Sequence, residues 1–199
     1  MIGRFVAGLA RLIAGGYVRW DERPSATPRV YFANHTSHLD FVLLWSYLPL
    51  ELRRRTRPVA ARDYWEGGPL RRYLATRVFR ALLIDRAGPD ARSAVEHMAE
   101  GLAAGDSLIL FPEGTRGSGQ EIAPFKSGLY HLCEASPGLE LVPVSLENLN
   151  RVLPKGEFLP VPMVSRVAFG ESLRLGEGEP KDEFLARARD AVETLREAP

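Results

Sequence analysis

The sequence predicts a single α/β domain in which helices flank a mixed, mostly parallel sheet. The chain has 199 residues, which suits one domain with a substantial hydrophobic core. Short runs of β-branched and aromatic residues alternate along the chain with longer stretches of helical periodicity, as in sheets built from strand–helix–strand units. No internal repeat and no long linker divides the sequence, so the alternation belongs to one layered domain.

The alternation predicts six strands and five helices. The predicted strands are residues 29–33, 58–61, 81–85, 107–111, 139–146 and 166–170. The predicted helices are residues 38–48, 69–79, 91–104, 126–135 and 182–197. Sites of open α/β sheets lie in loops beyond the carboxyl ends of the strands. Two such loops, after Ala33 and after Phe111, are unusually polar.

The first 20 residues form an amphipathic unit of their own. Apolar residues recur there at helical spacing, and Arg4 and Arg11 lie off the apolar stripe. Those arginines disfavour a membrane span, and the longest apolar stretch, residues 41–50, is about half of the roughly 20 residues that a span requires. We expect residues 1–20 to form a helix in a membrane interface and residues 21–199 to form the globular domain. A helix packed on the core is the alternative.

The composition excludes several classes of protein. With 45% hydrophobic and 26% charged residues, the chain is neither a disordered tail nor a fibrous repeat. The single cysteine, Cys133, cannot form an internal disulfide, and no cysteine–histidine cluster has zinc-finger spacing. These features favour a cytoplasmic protein over a secreted one.

Charge is distributed unevenly along the chain. Residues 1–100 carry 16 basic and 10 acidic side chains, whereas residues 101–199 carry 10 and 15. The basic excess is concentrated in residues 51–80, which contain nine arginines. This segment suits an anionic partner such as phospholipid headgroups, coenzyme A or an acidic carrier protein, unless it is simply a solvated helical face. We expect no nucleic acid partner, because no recognised binding motif accompanies the charge.

The loop after the first predicted strand contains a candidate catalytic pair. Residues 33–40 read Ala-Asn-His-Thr-Ser-His-Leu-Asp. A histidine is the natural general base at neutral pH, and an aspartate that accepts its other ring N–H fixes the tautomer. Five residues correspond to roughly 140° around a helix, so His35 and Asp40 meet only if His35 lies in the loop and Asp40 in a first helical turn capped by Thr36 or Ser37. Alternatively, Asp40 only reaches back to a backbone N–H.

A metal site is a competing interpretation of the same loop. His35, His38 and Asp40 are three potential ligands within six residues, as in some binuclear hydrolases. The only other histidines, His97 and His131, lie in predicted helices, and the spacing differs from the common histidine-rich metal loops. We therefore expect no metal at this loop.

The second polar loop suggests an anion site. Residues 108–119 read Leu-Ile-Leu-Phe-Pro-Glu-Gly-Thr-Arg-Gly-Ser-Gly, so that a strand runs into a glycine-rich turn with an arginine. Glycines let backbone N–H groups approach an anion, and an arginine binds phosphate through two hydrogen bonds. The segment is not a nucleotide P-loop, because no Gly-Lys-Ser/Thr follows. A long flexible turn is the alternative. No nucleophile elbow occurs, so a histidine base would take its proton from the substrate. A substrate hydroxyl on a phosphorylated alcohol would suit both loops and indicates acyl or phosphoryl transfer.

The motifs together resemble a known family. Asn34-His35 with Asp40 resembles the NH-x4-D signature of the glycerolipid acyltransferases, the family of bacterial 1-acyl-glycerol-3-phosphate acyltransferases. Phe111-Pro-Glu-Gly-Thr-Arg116 matches the second hallmark of that family, about 76 residues further on. Three weaker blocks are interleaved in the family's order: Leu83-Ile-Asp-Arg86, Pro124-Phe-Lys-Ser-Gly128 and Val142-Pro-Val144. The resemblance covers roughly residues 28–172.

The resemblance implies a glycerol-3-phosphate acyltransferase-like fold and a set of site residues. His35 would remove the acceptor's hydroxyl proton, and Asp40 would orient the imidazole. The implied substrate-binding residues are Arg62, Arg86, Glu113, Gly114, Thr115 and Arg116. Among these, Arg116 and Arg86 would hold a phosphate, Glu113 would order the loop, and Arg62 would replace a lysine that many members carry.

The resemblance also implies an activity and its partners. The enzyme would move a fatty acyl group from acyl-coenzyme A or acyl carrier protein to the hydroxyl of a lysophospholipid, foremost 1-acyl-sn-glycerol-3-phosphate, with no acyl-enzyme, no metal and no bound cofactor. It would act at the cytoplasmic face of an anionic membrane as a peripheral protein. Another glycerol-phosphate or lyso-lipid acceptor is the first alternative, and a non-catalytic lipid-binding protein is the second.

Overall fold

A computed structural model describes residues 2–85, 91–152, 161 and 164–198. Within these residues the sheet has seven strands: β1 Tyr17–Trp20, β2 Arg29–Ala33, β3 Thr56–Ala61, β4 Leu82–Ile84, β5 Ser107–Leu110, β6 Glu140–Glu147 and β7 Arg166–Phe169. The six predicted strands are all present, with ends that differ by at most two residues, and β1 is the strand that the sequence pattern missed.

The five helices predicted from residue 38 onward are present, with ends that differ by at most two residues, and three short helices are additional. The helices are α1 Ile2–Ala14, α2 Asp40–Tyr47, α3 Leu50–Arg55, α4 Arg62–Trp65, α5 Pro69–Tyr73, α6 Ala91–Ala103, α7 Gly128–Ala135, α8 Leu149–Val152 and α9 Lys181–Glu197. A π-helical turn, Leu74–Val78, continues α5, so the predicted helix over residues 69–79 is present in two hydrogen-bonding forms. Helices α3, α4 and α8 were missed because fewer than two turns leave no periodic pattern.

The strand order confirms the predicted mixed, mostly parallel sheet. The order is β1-β7-β6-β2-β5-β3-β4, and among the described pairs only β6 and β7 are antiparallel. Strands β2 and β5 are adjacent and parallel, with Val30 opposite Leu108 and Phe32 opposite Leu110. Their carboxyl ends therefore lie at the same edge of the sheet, where the two polar loops begin.

Strand β2 lies in the middle of the core. All five of its residues are buried, and their side chains alternate between the two faces of the sheet. Tyr31 and Ala33 belong to the cluster that contains Leu44 and the rest of the buried face of α2. Val30 and Phe32 belong to the opposite cluster, which α6, α7 and α9 cover. Because both faces are covered, β2 is held rigidly, and so is the start of the loop that follows it.

The predicted helix over residues 1–20 is wrong at its carboxyl end. Helix α1 ends at Ala14, and β1 pairs with β7 in the sheet, where Trp20 stacks on Phe169 with ring centroids 3.7 Å apart. The chain turns at Gly16, where a Cβ atom would lie 2.4 Å from the carbonyl oxygen of Ser165, so only glycine fits this approach. The residues after that glycine are β-formers and continue as a strand.

Helix α1 has two different faces. Its alanines at positions 7, 10 and 14 are buried against the core, as the alternative interpretation expected. On the opposite face Phe5 is 71% exposed and Leu12 is 81% exposed, and Ile2 and Leu9 extend the same apolar surface. No helix formed by the described residues has both the length and the apolar character that crossing a membrane requires.

Candidate active site

The two polar loops meet directly at the carboxyl ends of β2 and β5. The backbone N–H of His35 donates a hydrogen bond of 2.7 Å to Oε1 of Glu113. In return the N–H of Gly117 donates to the carbonyl oxygen of His35 over 2.8 Å. The first loop is thus bound to the second through both the N–H and the carbonyl group of His35, so motifs far apart in the sequence form one site.

Asn34 holds the first loop to the other neighbour of β2. Its side-chain amide donates to the carbonyl oxygen of Leu146 and accepts from the N–H of the same residue, each over 2.8 Å. This buried side chain extends the β2–β6 pairing beyond the end of the strand. Asn34 is therefore a positioning residue for His35, a role that the sequence pattern did not suggest.

His35 and Asp40 form the hydrogen-bonded pair that the base arrangement requires. Nδ1 of His35 lies 2.8 Å from Oδ2 of Asp40, whose side chain is fully buried. The same oxygen accepts the N–H groups of Thr36 over 2.6 Å and Ser37 over 2.8 Å. Asp40 therefore both supports His35 and reaches back to backbone N–H groups. One carboxylate oxygen serves both roles, because the loop folds around it.

The predicted cap of α2 is wrong. The helix begins at Asp40, two residues later than the periodicity indicated, and its N-cap is Leu39. Neither Thr36 nor Ser37 is the N-cap, because Oγ of Ser37 accepts the N–H of Leu39 over 3.3 Å, before the helix begins. The carboxylate of Asp40 holds the backbone N–H groups of both residues in the loop. The loop is therefore longer than predicted, which places His35 clear of the helix.

The ring of His35 is fixed so that its second nitrogen faces a cavity. The imidazole stacks on Phe111 with centroids 4.2 Å apart and ring planes 21° apart. When Asp40 accepts the proton on Nδ1, the lone pair lies on Nε2. Within the described ranges no hydrogen bond occupies Nε2, and the side chain is 19% exposed. The arrangement can accept a proton from a bound hydroxyl group.

A cavity of about 360 Å³ joins the two motifs. At one side it is lined by His35 together with Gly114, Thr115 and Arg116 from the second loop. Its other wall is mainly apolar and consists of Phe41, Pro58, Val59, Ala60, Ala61, Trp65, Ile84 and Leu110. A larger and more open depression over α5 contains neither motif. The base and the arginine of the predicted anion site thus share one crevice.

His38 is a second imidazole in the cavity, with a different character. It stacks on Tyr64 with centroids 4.7 Å apart. Burial, followed by the positive charge of Arg116, lowers the pKa of His38 to about 4, so this ring is neutral at pH 7. His38 makes no ion pair with a carboxylate in the part of the chain that is described, which distinguishes it from His35.

The competing interpretation of the first loop requires a set of metal ligands. Among the described residues, no three histidine, cysteine, aspartate or glutamate side chains are grouped so that they could hold a metal ion. In the loop itself, the carboxylate oxygen that contacts His35 is already an acceptor for two backbone N–H groups. The hydrogen bonds of this loop are those that a carboxylate-supported base requires.

Glu113 and Gly114 shape the second loop. Glu113 is buried, and besides the N–H of His35 it accepts the N–H of Ala123 through Oε2 over 2.9 Å. Its carboxylate therefore connects three separate stretches of backbone. Gly114 has a φ of +71°, a conformation that side-chain-bearing residues rarely adopt. These contacts are the ones that a loop-ordering role of Glu113 requires.

One predicted site arginine, Arg62, lies away from the cavity. Arg62 does not line it, since its guanidinium group contacts Asp85 over 3.2 Å, Glu66 over 3.4 Å and the carbonyl oxygen of Leu83 over 3.2 Å. The assignment of Arg62 to the substrate site is thus not supported, because α4 begins at this residue and directs it toward β4. Arg86 lies outside the described residues.

A known protein family and several of its members match this chain. The family model named Acyltransferase matches residues 17–147, more than half of the chain and both polar loops. A 1-acyl-sn-glycerol-3-phosphate acyltransferase of Limnanthes douglasii is 33% identical over 172 residues, which cover 82% of this chain and 57% of the relative. A lyso-ornithine lipid O-acyltransferase of Pseudomonas aeruginosa is 33% identical over 123 residues, covering 61% and 45%. The chain thus spans about half the length of the curated relatives it matches.

The fold has a counterpart among solved structures. The crystal structure of the 1-acyl-sn-glycerophosphate (LPA) acyltransferase PlsC from Thermotoga maritima superimposes with a TM-score of 0.72 at 18% identity. The alignment covers 99% of this chain and 81% of that one, so the two share their fold over nearly the whole domain. Since the family model also includes the supported histidine and the arginine-bearing loop, this chain belongs to the Acyltransferase family.

Proposed function

We propose that the protein transfers a fatty acyl group from a thioester to the hydroxyl group of a lysophospholipid, with 1-acyl-sn-glycerol-3-phosphate as the acceptor. The observation that carries the proposal is the shared cavity, in which the His35–Asp40 pair and Arg116 lie around one space. Family membership supports the reaction type, and several relatives are named for this acceptor.

The chemistry follows from the position of Nε2. His35 accepts the proton of the acceptor's hydroxyl, and the oxygen attacks the carbonyl carbon of the thioester. The tetrahedral intermediate then collapses, the carbon–sulfur bond breaks, and the leaving thiolate takes the proton from the imidazolium. Asp40 stabilises that imidazolium from the other ring nitrogen. No acyl-enzyme is needed, and we propose that no metal or bound cofactor takes part.

The cavity suits each part of the substrates. Arg116 has no ion-pair or hydrogen-bond partner among the described residues, so its guanidinium group is available for a phosphate. The apolar wall that includes Val59, Ala61 and Trp65 suits the acyl chain, since each buried methylene contributes about 0.8 kcal/mol. The donor is acyl-coenzyme A or acyl carrier protein, both anionic and thus suited to the arginines of residues 51–80 other than Arg62, which is paired with Glu66 and Asp85.

Release of free thiol from an acyl thioester tests the proposal across a panel of acceptors. We expect the protein to consume thioester with 1-acyl-sn-glycerol-3-phosphate faster than with lyso-ornithine lipid or with uncharged 1-acylglycerol. If none of these acceptors led to thioester consumption and the protein still bound lipid vesicles, the non-catalytic lipid-binding alternative would be favoured.

Arg116→Ala should weaken the acceptor site specifically. Loss of charge-assisted hydrogen bonds to a phosphate should raise KM for 1-acyl-sn-glycerol-3-phosphate about ten- to hundredfold. The KM for the thioester donor should change much less. Arg62→Ala is the matched control, because Arg62 faces β4 and should leave both constants nearly unchanged. Equal losses for donor and acceptor in the Arg116 variant would contradict the phosphate role.

We also propose that α1 attaches the protein to the cytoplasmic face of an anionic membrane. The exposed residues Phe5 and Leu12 suit the interface between headgroups and acyl chains, with Arg4 and Arg11 beside them. Phe5→Asp/Leu12→Asp should lower the partition coefficient onto anionic vesicles by about tenfold or more for each residue, because each side chain loses its apolar burial.

Sedimentation with vesicles measures this partitioning, and thermal unfolding provides the control. Both side chains are exposed in the folded protein, so the double variant should keep its melting temperature. Unchanged vesicle binding in a folded double variant would show that α1 is not the attachment site.

A further inference from the structure

Lys126 lies over the second polar loop in a way that the motif does not explain. A Cβ atom added at Gly114 would lie 2.7 Å from Nζ of Lys126 and 2.9 Å from both Cδ and Cε. The lysine side chain therefore crosses the loop through the space that the glycine leaves empty. The backbone is fixed there too, since the N–H of Lys126 donates to the carbonyl oxygen of Pro112 over 2.9 Å.

The ammonium group of Lys126 has no anionic partner in the described ranges. No ion pair or hydrogen bond reaches it from those residues, and the side chain remains exposed. Arg116, two residues beyond Gly114 along the loop, is unpaired in the same sense. By contrast, Arg57 and Arg80 share Asp106, and Arg62 is bound to Asp85. Two cations without carboxylate partners among the described residues thus lie beside one glycine. Gly114 and Arg116 line the cavity, and Lys126 reaches Gly114 from outside that lining.

Two unpaired positive charges at one loop suit a ligand group with two negative charges. A phosphomonoester carries about −1.5 to −2 at pH 7, whereas a phosphodiester carries about −1 and an aminolipid carries no phosphate. The buried carboxylates nearby make other contacts, since Glu113 accepts two backbone N–H groups and Asp40 contacts His35 through Oδ2, while Oδ1 of Asp40 is buried without a partner among the described residues. Neither of these two carboxylates therefore bonds to the cations.

We infer that Lys126 is a second phosphate-binding cation, which acts with Arg116 across Gly114 and makes the site selective for an acceptor with a terminal phosphomonoester. This inference rests on the proposed function and narrows its acceptor. Lys126 belongs to the weakly matching block over residues 124–128 and was not among the predicted site residues. In this role Gly114 serves two purposes, because it allows the positive φ and leaves room for the lysine.

Lys126→Gln separates the inference from a merely structural role. With 1-acyl-sn-glycerol-3-phosphate we expect KM to rise about tenfold and kcat to stay within about twofold, since a charge-assisted contact to the bound acceptor is lost. Turnover with uncharged 1-acylglycerol should not change, so selectivity between the two acceptors should fall about tenfold. Lys126→Arg should restore most of the selectivity, and Lys181→Gln, at the start of α9, is the matched control for charge.

A binding measurement keeps the test independent of turnover. Titration of sn-glycerol 3-phosphate into the His35→Ala variant, followed by phosphorus NMR, should give a dissociation constant that Lys126→Gln raises about tenfold. A protein that binds sn-glycerol 3-phosphate through Lys126 but consumes no thioester would contradict the proposed function alone. Unchanged KM and unchanged binding in a folded Lys126→Gln variant, or an equal loss for both acceptors, would overturn the role of Lys126.

Discussion

His35→Ala should reduce the rate of acyl transfer by about 10²- to 10⁴-fold, the usual contribution of a general base. The imidazole is the group in this cavity with both a carboxylate partner and a nitrogen directed at the lined space. Its neighbour His38 is neutral but lacks the carboxylate, so it should not substitute. Thiol release under saturating acceptor and donor measures the loss, and binding of sn-glycerol 3-phosphate should survive.

The chain supplies a matched control for this variant. His131 forms the same kind of pair, with Nδ1 2.9 Å from Oε2 of Glu134, but its side chain is 52% exposed on α7. His131→Ala should therefore leave turnover unchanged, even though it removes a histidine–carboxylate contact of nearly the same length. Turnover in His35→Ala that stays within a few-fold of the parent would rule out the proposed base.

The sequence predicted the parts of the fold in which one pattern dominates. Strand β2 was correct at both ends, because four of its five residues are apolar or aromatic and all five are buried in the centre of the sheet. Strand β1 was missed because its tyrosine and tryptophan also continue the helical spacing of residues 1–14, whereas close backbone contacts at Gly15 and Gly16 decide where the helix ends. Local patterns cannot report a contact with Ser165, which lies far along the chain.

The sequence also predicted the central pair of the candidate site but not the contacts that hold it in place. The spacing of His35 and Asp40 was enough to show that they meet only across a loop. It could not show that Asp40 also takes two N–H groups of that loop, since this depends on the backbone path rather than on residue type. Asn34 and Lys126 were missed as contributors for a related reason. Their partners, Leu146 and Gly114, are set by the packing of neighbouring loops and strands.

Asp40→Asn should reduce kcat by about 10²- to 10⁴-fold and should also destabilise the fold. An asparagine has nearly the same shape but no charge to stabilise the imidazolium that forms during transfer. Its amide also brings two N–H donors into a fully buried position. The second carboxylate oxygen of Asp40 has no hydrogen-bond partner among the described residues, so a donor there would stay unsatisfied, at a cost of about 1–3 kcal/mol.

Turnover per folded molecule separates the two effects of Asp40→Asn. Asp106→Asn is the control, because Asp106 is a largely buried carboxylate that binds Arg57 and Arg80 rather than a histidine. That variant should lose stability in urea or thermal unfolding and keep its kcat. If Asp40→Asn behaved in the same way, Asp40 would serve only to close the loop before α2, and the base would have to act without its carboxylate.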